Sequence, residues 1–135
     1  MKREQVDGFE KLVGQLMSLY EELAVLSKKN PNDAINEFKL KFTNILLAQA
    51  NQYLGDKYIP FDDFEVFDED DVPRLSDVVF ILSQYLQCFE KFRADNVQRD
   101  AGGWYWRVDP QRGEETSRDG TVHIRTVAPK RLREQ

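Results

Sequence analysis

The chain has 135 residues, 41% hydrophobic and 32% charged, with a net charge of −5, which is typical of a folded globular protein. This length fits one domain, so we expect a single domain over residues 1–135. The lone cysteine, Cys88, excludes an internal disulfide and a multi-cysteine zinc site. No apolar run reaches the roughly 18 residues that cross a bilayer, and the amino terminus lacks the apolar stretch of a secretory signal. We therefore expect no membrane contact and a cytoplasmic location.

Apolar residues three and four positions apart predict a first helix at about residues 5–29. This stripe consists of Val6, Phe9, Val13, Leu16, Tyr20, Leu23 and Leu26. Asn30 followed by Pro31 is a typical helix start, because asparagine caps the free amides and proline suits the first helical position. It predicts a second helix at about residues 31–54, packed antiparallel on the first.

The second helix is expected to end at Gly55. Its periodicity predicts an inward face made of Ile35, Phe38, Phe42, Ile45, Leu46, Ala50 and Tyr53.

Residues 56–73 are predicted to form a crossover, and we call its central residues 58–71 the acidic-aromatic segment. An aromatic residue occurs at every third position: Tyr58, Phe61, Phe64 and Phe67. Seven carboxylates lie between them, without any lysine or arginine: Asp62, Asp63, Glu65, Asp68, Glu69, Asp70 and Asp71. A period of three suits neither a strand nor a helix. The pattern therefore predicts an irregular loop with its rings toward the helices and its carboxylates in water.

A third helix is predicted at about residues 75–97, with Ser76 as its N-cap. Its stripe consists of Leu75, Val78, Leu82, Tyr85, Phe89 and Phe92, and neighbouring apolar residues widen it. Three helices leave part of so apolar a surface uncovered, and a homodimer is one way to bury the remainder. The predicted fold is mainly α, an antiparallel three-helix bundle with a small C-terminal β-hairpin or meander.

The β appendage is predicted at about residues 103–128, and residues 129–135 form a basic tail. Residues 104–108 are aromatic and β-prone, and Asp119-Gly120 is a two-residue hairpin signal. Residues 114–118 are the candidate for a middle strand.

No catalytic motif or glycine-rich phosphate loop is present, so we expect neither an enzyme nor a bound cofactor. Cys88 lies beside the apolar stripe of the third helix, where an inert buried thiol is expected. His123 lies among charged residues, where a structural or solvated ring is expected. The acidic-aromatic segment lacks the central glycine of a calcium loop, so no metal site is predicted.

The leading hypothesis is a non-enzymatic protein–protein interaction module, such as an adaptor, an accessory subunit or a small inhibitor or immunity-type protein. Large rings rimmed by charge suit the capture of a basic protein surface. The candidate residues are Phe61, Asp62, Asp63, Phe64, Glu65, Phe67, Asp68, Glu69, Asp70 and Asp71.

The alternative is a nucleic-acid accessory protein, because residues 99–135 contain 8 basic and 6 acidic side chains whereas residues 1–98 contain 11 and 18. Aromatic rings interleaved with cations stack on bases and contact phosphates. The candidates are Trp104, Trp106, Arg107, Arg125, Lys130 and Arg131. The basic C-terminal part is also able to neutralise the acidic-aromatic segment, which would make that segment an internal clasp rather than a binding site.

Overall fold

In residues 1–130, the part of the chain that this computed structural model describes, three helices precede three strands. The helices are α1 (Arg3–Lys29), α2 (Glu37–Tyr58) and α3 (Leu75–Asn96). The strands are β1 (Val97–Asp100), β2 (Gly103–Val108) and β3 (Val122–Thr126), and they form an antiparallel sheet in that order. The prediction of a mainly α chain with a C-terminal meander is confirmed, whereas the antiparallel bundle packing stays a prediction.

The chain divides into two compact units. Lys11–Phe89 forms one unit, and Met1–Glu10 together with the chain from Glu90 onward forms the other. The expectation of a single domain stays a prediction. Among the described residues, no helix combines the length and the apolar character that spanning a membrane requires.

Helix α2 begins at Glu37, later than the predicted residue 31. The Asn30–Pro31 signal does not start a helix, because the following residues pair with the chain that precedes α3. Ile35 N donates to the Pro73 carbonyl at 3.1 Å, and Leu75 N donates to the Asp33 carbonyl at 2.8 Å. The N-cap is Asn36, whose side-chain oxygen accepts from the Lys39 amide at 2.8 Å.

The buried face of α2 also differs from the prediction. The side chains that α2 buries are Leu40, Thr43, Leu46, Leu47, Ala50 and Leu54. Phe38, Phe42 and Ile45 were predicted to face inward, yet they are 70%, 49% and 54% exposed. Two stripes with helical spacing run along this helix, and the predicted stripe is the one that faces solvent over its first half.

The predicted end of α2 is close to the observed one. Gly55 has φ of +62° and ψ of −179°, a conformation that breaks the helix and favours glycine. One further turn ends at Tyr58, so the crossover begins on the last turn of α2.

Helices α1 and α3 agree with the prediction more closely. Most of the α1 stripe is buried, although Leu26 is exposed. In α3 the stripe from Leu75 to Phe89 is buried, and the helix begins at Leu75, one residue before the predicted cap Ser76.

The sheet begins earlier than predicted, since β1 follows α3 directly from Val97. Its pairing makes β2 the middle strand, and residues 114–118, the predicted middle strand, lie in the connection between β2 and β3. A two-residue turn at Ala101 and Gly102 joins β1 to β2. Asp119-Gly120 instead forms a local turn within the longer connection, where Gly120 has φ of +78°.

Candidate functional site

The acidic-aromatic segment begins on the last residue of α2, Tyr58, and continues as an irregular loop. All seven of its carboxylate side chains are exposed, whereas the four aromatic residues at every third position are half-buried. The sequence pattern predicted this separation of rings toward the helices from carboxylates in water.

The three phenylalanines of the segment form a continuous row of rings. Phe64 contacts Phe61 and Phe67 edge to face, with ring centroids 6.3 and 5.1 Å apart. Phe61 continues the row to Phe80 of α3 at 6.5 Å. Such pairs contribute roughly 0.5–1.5 kcal/mol each beyond their buried area, so the row stiffens the loop and the contact with Phe80 attaches it to α3.

An asparagine of α2 fixes the middle of the segment. The Asn44 side chain donates to the Phe67 carbonyl at 2.9 Å and accepts from the Phe67 amide at 2.9 Å. It therefore satisfies both backbone groups of one loop residue, as a neighbouring strand would.

A second asparagine, one heptad later on α2, links the segment to the core. Asn51 Nδ2 donates to the Glu65 carbonyl at 3.0 Å, and its Oδ1 accepts from the Tyr85 hydroxyl at 2.6 Å. Burial raises the pKa of Tyr85, which keeps the phenol a neutral donor. Sequence reasoning missed both asparagines, although their seven-residue spacing on one helix face was a signal.

The charges of the segment are not balanced within the described residues. None of the seven carboxylates forms an ion pair with any group in residues 1–130. Asp68 Oδ1 accepts from the Asp70 amide at 2.8 Å, a hydrogen bond that closes a local turn. The clasp hypothesis stays a prediction.

A cavity of about 440 Å³, which we call the crossover groove, lies between α2 and the segment. Its apolar lining consists of Ala48, Ile59, Phe61, Phe64 and Val66. Its polar lining residues are Asn51, Gln52, Asp56, Asp62 and Glu65.

The residues of the nucleic-acid hypothesis are engaged in other contacts. Trp106 is 0% exposed, and its Nε1 donates to Glu10 at 2.9 Å, so its ring presents no face to a base. The arginines are paired with carboxylates: Arg107 Nε lies 3.3 Å from Asp119, and Arg125 Nη1 donates to Asp100 at 2.7 Å.

The remaining members of that set differ in exposure. Trp104 is half-buried, with the Arg99 guanidinium 6.0 Å from its ring centre. Lys130 is exposed, and its backbone amide donates to Glu90 at 3.0 Å. Arg131 lies outside the described residues.

Glu10 and Arg93 form a partly buried ion pair in the unit that contains the sheet. Arg93 is 2% exposed and pairs with Glu10, which also accepts from Trp106 Nε1 and from Thr126 Oγ1 at 2.8 Å. Partial burial raises the pKa of Glu10, but the hydrogen bonds from these three residues outweigh it and hold the pKa below 4.5. The contact is a polar element of the core.

Ser117, Asp119 and His123 meet in the connection before β3. Ser117 Oγ lies 2.9 Å and Asp119 Oδ2 lies 3.4 Å from the same ring nitrogen, His123 Nε2. A catalytic triad needs its serine and its carboxylate at opposite nitrogens. Asp119 also accepts from the Thr121 amide at 3.0 Å, so the cluster stabilises a turn.

Cys88 is half-buried, and burial raises the pKa of its thiol, which therefore stays protonated at neutral pH. In the part of the chain that the structure describes, no group of three or more histidine, cysteine and acidic side chains could hold a metal ion.

The chain matches no protein-family model, no curated protein and no solved structure.

Proposed function

We propose that this chain is a non-enzymatic protein–protein interaction module whose acidic-aromatic segment binds a basic surface of another protein. The observation that supports it is the exposure of seven carboxylates, none of them ion-paired within residues 1–130, on a loop that two asparagines and a row of rings hold in place. Acting in this way, the chain would be an adaptor, an accessory subunit or a small inhibitor or immunity-type protein.

Electrostatics favours a basic partner. Seven like charges within ten residues, Asp62 to Asp71, repel one another, since neighbours in so short a stretch are separated by distances comparable with the screening length, about 8 Å at physiological salt. A basic surface offsets that repulsion because its positive charges attract the carboxylates. Complementary charge also speeds the encounter between the two proteins.

The anchoring of the segment favours binding as well. Binding loops lose affinity when they must become ordered on contact. Here the backbone of Glu65 and Phe67 is already fixed by Asn51 and Asn44. The segment therefore presents its carboxylates with a small further loss of conformational entropy.

The wider setting is part of the same proposal. The helices would pack as an antiparallel bundle that displays the crossover between α2 and α3, and the protein would work in a reduced, cytoplasmic environment. Self-association through exposed apolar side chains would be a separate property of the chain.

The test is affinity capture from an extract of the native cell with a charge-neutralised variant: Asp68→Asn, Glu69→Gln, Asp70→Asn and Asp71→Asn. The Asp68→Asn change keeps a side-chain oxygen that accepts from the backbone amide of residue 70, so the local turn is preserved. We expect the wild type to retain a basic protein at ~50 mM salt and this variant to lose it, because neutralisation removes the attraction.

The matched control removes the same number of charges elsewhere: Glu4→Gln, Asp7→Asn, Glu21→Gln and Glu115→Gln, all at exposed positions. Both variants change the net charge from −5 to −1. We expect the control to capture the same basic protein as the wild type. Equal capture by the two variants would contradict the proposal.

A further inference from the structure

We infer that the crossover groove receives an arginine side chain of the basic partner. This inference rests on the proposed function and names the chemical group that the site recognises. The observation behind it is the composition of the groove. Aromatic and acidic residues line it, and none of the lining residues is basic.

The walls suit the flat face of a guanidinium group. Phe61 and Phe64 both line the groove, and their rings meet edge to face at 6.3 Å. Guanidinium is planar and weakly hydrated, so it stacks on aromatic rings at a smaller desolvation cost than an ammonium group.

The polar lining suits the edge of the same group. Three of the lining residues carry a carboxylate: Asp56 on α2, and Asp62 and Glu65 on the segment. Arginine presents five N–H donors in a fixed fork that pairs with a carboxylate through two parallel hydrogen bonds. A lysine offers a single point charge and no flat face, so it satisfies only part of this lining.

Size and rigidity agree with a preformed receptor. A volume of about 440 Å³ lies within the roughly 300–1,000 Å³ range of ligand sites in proteins. One lining residue, Asn51, is held by Tyr85 and by the Glu65 carbonyl, so this wall does not have to rearrange on binding.

The first experiment uses a small probe and the whole chain. N-acetyl-arginine methylamide is titrated into labelled protein while backbone amide shifts are followed by NMR, alongside the lysine and citrulline counterparts. We expect saturable shifts at Ala48, Gln52 and Phe64 with the arginine probe, in the millimolar range typical of one side chain. Citrulline has the same shape without the charge and should cause none. Equal shifts with lysine, or no shift at the groove, would overturn the inference.

A filling variant tests the groove without altering charge. Ala48 is exposed and lines the groove, and Leu is a good helix former, so Ala48→Leu should fill the space and leave α2 intact. The matched control is Gln49→Leu, at an exposed neighbour that is not among the lining residues. We expect Ala48→Leu to weaken the arginine probe at least about tenfold and the control to leave it unchanged.

The two variants also separate this inference from the proposed function. If Ala48→Leu captures the basic protein as well as the wild type does, whereas the variant neutralised at residues 68–71 does not, the groove inference fails and the proposed function stands. If neutralisation at residues 68–71 has no more effect than the control quadruple variant, the proposed function itself fails.

Discussion

At the scale of single residues, Glu10 has more contacts than a half-exposed carboxylate usually makes. Its Oε1 accepts from Arg93 of α3, Trp106 of β2 and Thr126 of β3. The Arg93 guanidinium also lies over the rings of Phe9 and Trp106, at 5.2 and 5.8 Å from their centres. Removal of the Glu10 charge leaves Arg93 buried with only Glu90, 3.6 Å from its Nε, as an acidic neighbour among the described residues.

We therefore expect Glu10→Gln to lower the free energy of unfolding by about 1–3 kcal/mol at neutral pH, the usual value of hydrogen bonds to charged groups. Urea denaturation followed by tryptophan fluorescence measures it, since Trp106 is buried beside the substituted residue. Glu21→Gln, at an exposed position of α1, is the control and should change little. A Glu10→Gln protein as stable as this control would show that the contact contributes nothing.

The difference in stability between the wild type and Glu10→Gln should depend on pH. The folded-state pKa of Glu10 lies below its ordinary value of 4.5, because the hydrogen bonds outweigh partial burial. The wild-type advantage over Glu10→Gln is thus complete above the unfolded-state pKa and is lost as the pH falls through the folded-state pKa. Denaturation at a series of pH values from about 7 to about 3 measures it. An advantage that grows toward low pH would contradict the assignment.

Asn44 gives a residue-scale test of how the acidic-aromatic segment is anchored. Asn44→Ala removes both hydrogen bonds to the Phe67 backbone. We expect the Phe67 amide to exchange with solvent about tenfold faster or more, since ~1.4 kcal/mol corresponds to a factor of ten. Hydrogen exchange followed by NMR measures it, with Gln49→Ala as the control. Unchanged protection of Phe67 would mean that the rings alone hold the loop.

At the scale of the elements, α2 shows what periodicity does and does not determine. Its break at Gly55 could be predicted, because a glycine with positive φ ends a helix for local reasons. Its buried face could not, because two apolar stripes with helical spacing compete. Packing against neighbouring segments determines which stripe is buried. The buried stripe also includes a polar residue, Thr43, whose hydroxyl donates to the Lys39 carbonyl at 2.7 Å.

The predictions of where α2 begins and of where the sheet begins were wrong for related reasons. Asn30 and Pro31 are good local signals, but backbone pairing of residues 33–35 with residues 73–75 uses that stretch instead. Strand β1 has one buried residue, Val97, among four, so its sequence lacks the alternation of apolar and polar residues that predicts a strand. The division of the acidic-aromatic segment into rings and charges was local and could be predicted, whereas the asparagine anchors depend on tertiary contact.

Two substitutions of the same kind test the assignment of the α2 faces. Leu47 is 0% exposed and Ile45 is 54% exposed. We expect Leu47→Ala to cost about 2–5 kcal/mol of unfolding free energy, through lost burial and a cavity, and Ile45→Ala less than about 1 kcal/mol. Chemical denaturation measures both. Equal costs would contradict the assigned orientation of α2.

At the scale of the whole molecule, the question is which surface meets a partner. The basic C-terminal part pairs Arg107 and Arg125 with carboxylates and buries Trp106, whereas the acidic-aromatic segment keeps seven carboxylates without ion pairs in residues 1–130. This contrast favours a protein partner over a nucleic acid.

We accordingly expect labelled single-stranded and double-stranded oligonucleotides not to bind at ~50 mM salt, where phosphate contacts are strongest. Fluorescence anisotropy measures it. Binding that weakens steeply with added salt, and that is lost on Arg107→Gln with Arg125→Gln, would support the nucleic-acid alternative instead.

The most direct test of the central claim is the salt dependence of binding between the purified basic partner and this protein. Calorimetry at ~50 and ~300 mM salt compares the wild type, the variant neutralised at residues 68–71 and the control quadruple variant. We expect the affinities of the wild type and the control to fall with salt, and the affinity of the neutralised variant to be lower at ~50 mM and less sensitive to salt. A neutralised variant that binds at ~50 mM salt with the affinity and salt dependence of the wild type would contradict the claim.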